Sequence, residues 1–333
     1  DPVAKLVELI AAGPVAPSGG SATAAPPIQV DPATVNAPPV AAPAPAAAKP
    51  TETVAEVLAE LDKLVGLTSV KRQLVSIAAV VQANQERVRA GLAPVTPSLH
   101  LVFTGPPGTG KTTVARLVAR LYAAAGALNG ANFTEVSRAD LIAGFVGQTA
   151  IKTAEVIART RPGVLFIDEA YALTPSHGSD FGAEAIATLV KAMEDHRAEL
   201  AVIAAGYGDE MAEFVASNPG LKSRFKTFID FPNYGAEELT SIFAGFAAET
   251  GISLADGVLP AAETIFRRMA DKRDFGNGRF ARSLFERAYA RMAARAAADG
   301  TMTLDEVSTI TAEDLDWEDT GFDRDGRRIG FAH

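Results

Sequence analysis

Between Thr53 and Leu254, apolar residues recur in two alternating rhythms. Short β-rich runs fall at 99–104, 133–137, 164–167, 200–205 and 227–231. Stretches of helical spacing lie around them, at 68–90, 111–125, 149–160, 181–196 and 209–217. Alternation of this kind predicts an α/β fold, a parallel five-stranded sheet with helices on both faces. After Pro232 the strand pattern stops, and 235–250, 258–273 and 278–298 predict a smaller α-helical domain. Order is expected to begin near Thr53, because Thr53-Val-Ala-Glu56 has the spacing of a capping box ahead of Val57, Leu58, Leu61 and Leu64.

Composition sets the first 50 residues apart. They hold 11 of the 20 prolines and 15 alanines. Each proline fixes φ and lacks a backbone donor, so residues 14–50 read as an extended linker. Leu6, Val7, Leu9 and Ile10 could form the apolar face of a short helix ended by Gly13, either in a tail or as the last helix of an upstream domain. The chain opens at Asp1 without a methionine, as a piece of something longer would. The expected division is 1–52 linker or tail, 53–232 α/β domain, 233–300 helical domain and 301–333 acidic tail.

Charge and cysteine usage narrow the class. The 333 residues carry 31 Lys plus Arg against 40 Asp plus Glu, a net charge of −9. Bulk charge of that sign argues against nucleic acid or anionic membrane as a partner. Residues 301–333 alone hold nine acidic residues against three arginines, and read as a solvated end, with Thr311 able to cap a short helix through Asp314. The absence of cysteine excludes disulfides, a thiol nucleophile and a Cys-ligated zinc, and fits a reducing, cytoplasmic setting. No apolar run reaches the ~18–20 residues of a membrane span. His100, His177, His196 and His333 lack metal-ligand spacing and read as structural or solvated. Trp317 stands alone in the acidic tail, where it could anchor that tail to the helical domain.

One segment carries specific chemistry. Gly105-Pro106-Pro107-Gly108-Thr109-Gly110-Lys111-Thr112, followed by Thr113, fits G-x-x-x-x-G-K-[ST] between a predicted strand and a predicted helix. Glycines let the backbone curl so that successive N–H groups face a phosphate, and the helix start adds its positive dipole end. Lys111 supplies a point charge, and the Thr112 hydroxyl can ligate Mg²⁺. The expected cofactors are therefore a nucleoside triphosphate and Mg²⁺, with ATP as the nucleotide if the chain is an ATPase. Gly163-Val-Leu-Phe-Ile-Asp168-Glu169 supplies the complement, an apolar strand ending in two carboxylates at the ligand-binding edge. Asp168 would hold the metal and Glu169 would orient the attacking water.

With Val65-Gly-Leu, Arg138-Ala-Asp-Leu, Ala205-Gly-Tyr, Asn218-Pro-Gly-Leu-Lys-Ser-Arg-Phe and Gly276-Asn-Gly-Arg-Phe, these stretches resemble the AAA+ ATPases of the CbxX/CfqX group over residues 55–298. That group includes red-type Rubisco activases and the ATPases of type VII secretion systems. The resemblance implies that Arg224 is an arginine finger acting on a neighbouring subunit, and hence that the chain is a homo-oligomeric ring, by analogy a hexamer. It implies that Arg279 is a lid arginine aimed at the γ-phosphate. It makes Phe145-Val146-Gly147 a pore loop and gives Val65 and Gly66 the adenine. Tyr207 stands where many AAA+ chains have a polar sensor, and its hydroxyl could take that role. Lys152 and Thr153 match the group's pattern without a derivable role.

Three functions compete. The first is a ring-forming remodeller that hydrolyses ATP and moves a protein client with Phe145, with the long linker favouring a secretion system over Rubisco. The second is a nucleotide-controlled assembly switch that threads nothing. Exposure or burial of Phe145 separates these two. A small-molecule kinase would leave Arg224 and Arg279 unexplained.

Overall fold

The computed structural model describes residues 52–95, 98–145, 147–174, 181–270, 275–298 and 302–315. The expectations for the first 50 residues, Val146, His177, Trp317 and His333 lie outside them. Two helices, α1 (Val54–Lys63) and α2 (Thr68–Arg89), precede the sheet. The capping box at the start of α1 forms as expected. The amide of Glu56 donates to Thr53 Oγ1 at 3.2 Å, and the amide of Thr53 donates to Glu56 Oε2 at 2.7 Å.

Strands and helices then alternate: β1 (Leu101–Thr104), α3 (Lys111–Ala124), β2 (Asn132–Val136), α4 (Arg138–Leu141), α5 (Gln148–Thr160), β3 (Gly163–Ile167), α6 (Phe181–Asp195), β4 (Leu200–Gly206), α7 (Gly208–Ala216), α8 (Pro219–Arg224) and β5 (Thr227–Asp230). The sheet order is β2-β3-β4-β1-β5, and every pairing is parallel. β3 and β4 are buried along their whole length. Both faces are covered, so these strands read as continuous apolar runs rather than alternating ones. The pleat still sorts their side chains. Val164 and Phe166 join the core shared with α1, α2, α3 and the C-terminal helices, whereas Leu165 and Ile167 join the core beneath α5, α6 and α7.

The C-terminal domain packs α9 (Ala236–Thr250), α10 (Val258–Met269) and α11 (Gly278–Ala296) around Phe243, which meets the rings of Phe266 and Phe285 edge-on. Two expectations change here. Strands do not stop at Pro232, because β6 (Ser253–Leu254) pairs in parallel with β7 (Thr309–Ile310). Strands of two residues are too short for any periodicity to reveal. Nor is the acidic segment free through Leu315. Ile310 and Leu315 are buried, and Asp314 bonds Arg295 at 3.0 Å and the amide of Thr311 at 2.8 Å. Burial works against the Asp314 carboxylate, but Arg295 and Thr311 outweigh it and its pKa is lowered.

His100 sits buried at the amino end of β1, where the amide of Val202 donates to its Nδ1 at 3.0 Å. Burial pushes its pKa down to about 4, and the Arg224 charge adds to the effect against a backbone bond at Met193. With the folded value depressed, only the unfolded chain binds this proton between about pH 6.5 and 4. Stability therefore falls as pH drops through that window, by on the order of 3 kcal/mol from this group. His100→Asn keeps an acceptor for Val202 and does not titrate. Urea denaturation against pH is expected to be flatter across that window in the variant, and an unchanged slope would contradict this account.

Candidate functional site

The phosphate loop leaves β1 at Gly105 and enters α3 at Lys111. Its curl depends on glycine at two places. Gly105 has φ +140°, and a Cβ there would lie 2.2 Å from the carbonyl oxygen of Phe231. Gly108 has φ +73°, and a Cβ there would lie 2.1 Å from the carbonyl oxygen of Gly276. Both crowding atoms belong to the chain leading into, or lying within, the C-terminal domain, so the loop is clamped from outside.

Lys111 donates through Nζ to the carbonyls of Gly105 at 2.8 Å and Pro106 at 2.7 Å. Burial lowers its pKa, the Asp168 carboxylate opposes that, and Arg279 reinforces it. Lys111 thus feels a carboxylate and a guanidinium from the same cleft. Thr109 donates back to Pro106 at 2.8 Å, which tightens the turn.

Asp168 and Glu169 follow the last residue of β3. Glu169 occupies the left-handed region at φ +51°, ψ +43°, a conformation that costs a non-glycine residue about 1–3 kcal/mol. Its amide donates to Asp168 Oδ1 at 3.1 Å. An extended strand would send two adjacent carboxylates to opposite faces, whereas after this turn both line the same cleft.

These residues border one cleft of about 580 Å³. Gly105, Pro107, Gly108, Gly110, Lys111, Thr112, Thr113, Asp168, Glu169, Tyr207, Arg279 and Val65 all line it. Pro106, Thr109 and Gly66 do not; Thr109 is fully buried, and Gly66 backs onto the Glu238 carboxylate. The fit to a magnesium–nucleotide complex rests on the donor set. A hydroxyl and one carboxylate leave most of a hard cation's octahedron to phosphate oxygens and water. Among the described residues no group of three or more His, Asp or Glu side chains could hold a metal without such a ligand.

Some cleft residues escape a sequence reading. Ile242 and Phe246 of α9 join Leu64, Val65 and Leu67 as apolar lining, with Arg282 stacked 4.4 Å from the Phe246 ring centre. Their helical spacing marks them only as apolar face. Tyr171 lies against Tyr207, ring centres 6.0 Å apart. Its hydroxyl is held above the usual range by burial first, then by the charges of Glu169 and its neighbours.

Two predicted groups stand elsewhere. Phe145 is 71% exposed, between Gly144 and Gly147, at both of which a Cβ would meet open space. Lys152 braces the adjoining α4, donating to the carbonyls of Ala139 at 2.7 Å and Ile142 at 3.0 Å, and buried Thr153 donates to Leu141 at 3.0 Å. Arg224 lies at the amino edge of the sheet. Its carbonyl accepts from Ser98 at 2.6 Å, and Thr227 just beyond it pairs with Leu101, the first residue of β1. The guanidinium bonds Glu194 Oε2 at 3.0 Å, the carbonyl of Gly220 and the Ser223 hydroxyl, both at 3.2 Å.

Comparison with known proteins agrees with this geometry. Residues 101–233 match the ATPase family associated with various cellular activities (AAA), and residues 235–324 match an AAA lid domain. The chain is 43% identical over 267 residues to Protein CfxQ homolog of Galdieria sulphuraria, covering 79% of this chain and 87% of that one. It is 41% identical over 273 residues to the chloroplastic ribulose bisphosphate carboxylase/oxygenase activase of Cyanidioschyzon merolae, covering 79% and 89%. It is 43% identical to ESX-1 secretion system protein EccA1 of Mycobacterium tuberculosis over 70% of this chain but 43% of that protein. Among solved structures, the FIGL-1 AAA domain in complex with ADP shares the fold, with a TM-score of 0.54, 21% identity, and 76% and 80% coverage. A phosphate loop on a parallel sheet, two carboxylates on the neighbouring-but-one strand and a helical lid over both are thus the parts of a nucleotide site, and the chain belongs to the CfxQ/CbxX group of AAA ATPases.

Proposed function

We propose that this protein is a cytoplasmic, ring-forming remodeller that couples ATP hydrolysis to work on a protein client, with six copies in the ring as the family resemblance implies. The observation that carries it is the position of Arg224. The phosphate loop leaves the carboxyl end of β1, whereas Arg224 stands at the amino end of the same strands. Four residues of strand alone separate the two by about 13 Å, with the sheet's core between them. Arg224 therefore cannot serve its own nucleotide, and an arginine in this family position finds a phosphate only on the next subunit.

The roles within one site follow from the cleft. The N–H groups of Gly108, Thr109, Gly110 and the start of α3 bind the phosphates, and Lys111 and Arg279 neutralise the transferring group. Mg²⁺, held by Thr112 and Asp168, would shield the phosphate charge. Glu169 orients a water molecule, whose oxygen bonds to the γ-phosphorus as the bond to the leaving ADP oxygen breaks. Arg224 of the neighbour stabilises the charge spread over the transferring oxygens. Val65, with the apolar lid residues, receives the adenine, Gly66 supplying the turn behind it, and the Tyr207 hydroxyl borders the reacting end. Residues 53–232 and the lid from 233 onward form the working unit, to which the acidic segment contributes at least through Leu315.

A remodeller is favoured over a nucleotide switch by Phe145. An exposed aromatic side chain in a glycine-bounded loop can grip a client segment without reading its sequence. Service to a secretion assembly is supported by the EccA1 match and by the Ala/Pro-rich leading segment, and an activase-type client by the relatives matched over most of their length.

Arg224→Ala is expected to bind ATP and lose turnover by ~10³-fold or more, as measured by phosphate release. Turnover within a few fold of the parent would remove the trans site. Phe145→Ala is expected to keep basal hydrolysis and thermal stability, because its side chain contacts solvent. In a client assay it is expected to lose processing, and full processing would favour the switch.

A further inference from the structure

The lid and the connection before it are bonded directly to the phosphate loop. Three consecutive loop carbonyls each accept a hydrogen bond from outside the loop. Pro107 accepts from Asn277 Nδ2 at 3.2 Å, Gly108 from the amide of Gly278 at 3.0 Å, and Thr109 from the Tyr234 hydroxyl at 3.2 Å. Asn277 and Gly278 open α11 of the lid, and Tyr234 lies in the connection between the domains.

A trans peptide points its N–H opposite to its C=O. Fixing those three carbonyls outward therefore fixes the amides of Gly108, Thr109 and Gly110 in the opposite sense. None of those amides has an acceptor among the described residues. They are the donors that a phosphate would use.

Asn277 is the centre of this arrangement. It is fully buried and holds φ +50°, ψ −125°, a conformation that glycine adopts freely and asparagine does not. Glycines stand on both sides of it. What asparagine adds over glycine is its amide, and every polar atom of that amide is engaged. Nδ2 donates to Pro107 and to Asn233 Oδ1 at 2.8 Å, with a longer contact to the carbonyl of Phe275 at 3.3 Å, and Oδ1 accepts from the amide of Tyr234 at 3.0 Å. One side chain thus ties the loop, the interdomain connection and the lid together.

We propose that the lid and connection hold the phosphate loop in its binding shape, with Asn277 as the positioning residue. The loop and the angle between domains are then one coupled unit. A lid that swings away frees the loop carbonyls and loosens the amides that grip phosphate. Nucleotide affinity and lid position must shift together, and reciprocally. The inference rests on nucleotide sitting on this loop.

The test uses the full chain, with ADP titrated by calorimetry and ATP turnover measured at steady state. Asn277→Gly suits the backbone conformation and removes only the amide. It is expected to weaken ADP binding about tenfold and raise KM similarly with kcat within about twofold, since the lost donors act on ground and transition states alike. Tyr234→Phe deletes a single donor and is expected to shift ADP binding the same way, by about threefold. Lys111→Ala is the control for the site itself. If it binds ADP as the parent does, the placement of nucleotide fails. If it does not bind while Asn277→Gly and Tyr234→Phe bind as the parent does, the positioning role alone is overturned. An Asn277→Gly variant with lower kcat, lower melting temperature and unchanged KM overturns it as well, because that is the mark of a purely structural residue.

Discussion

Five strands that all run one way impose the organisation of this molecule. Parallel strands end at a common edge, so the turns after β1, β3 and β4 gather there whatever their separation in sequence. That places the phosphate loop, the Asp168–Glu169 pair and Tyr207 around one cleft. The same rule sends whatever precedes a strand to the opposite edge. Arg224 precedes β5, so it stands beside Ser98 and buried His100 at the far end from its own phosphate loop. Parallelism gathers the cleft residues at one edge and leaves Arg224 at the other.

The second constraint is that a phosphate loop must expose amides while its carbonyls find partners elsewhere. In this protein Lys111 and Thr109 satisfy the early carbonyls, and the lid and its connection satisfy the later ones. The missing Cβ atoms at Gly105 and Gly108 let Phe231 and Gly276 approach closely enough for that. Strain is concentrated at the same place. Glu169 and Asn277 are two of the three non-glycine residues at positive φ among the described residues; Glu169 lines the cleft, and Asn277 is buried behind it with its amide on the loop. The lid is bonded to the loop's outer side, and Arg279 of the same helix lines the cleft on the other.

Much of this was legible in the sequence, and the reasons are physical. The strands are short and doubly covered, so their apolar runs stand out. The five expected at 99–104, 133–137, 164–167, 200–205 and 227–231 fall within two residues of those observed. The phosphate loop and the carboxylate pair were legible because their chemistry demands fixed residue types at fixed spacing. The short elements were not. β6 and β7, two residues each, and α4 and α8, four and six, lie below the length at which periodicity carries information. Nor was the outer bonding of the loop. Asn277, Tyr234 and Pro107 are 43 and 170 residues apart in sequence, and only the fold brings them together.

The central claim is that hydrolysis takes place between two subunits. It is tested most directly by mixing two variants that are each inactive, Glu169→Gln and Arg224→Ala, and following phosphate release as the ratio changes. If Arg224 acts on a neighbour, a mixed ring contains interfaces with an intact Glu169 on one side and an intact Arg224 on the other. Activity is then expected to appear in the mixture and to peak near equal proportions. A mixture as inactive as its parts, in assemblies shown to contain both chains, would contradict the account.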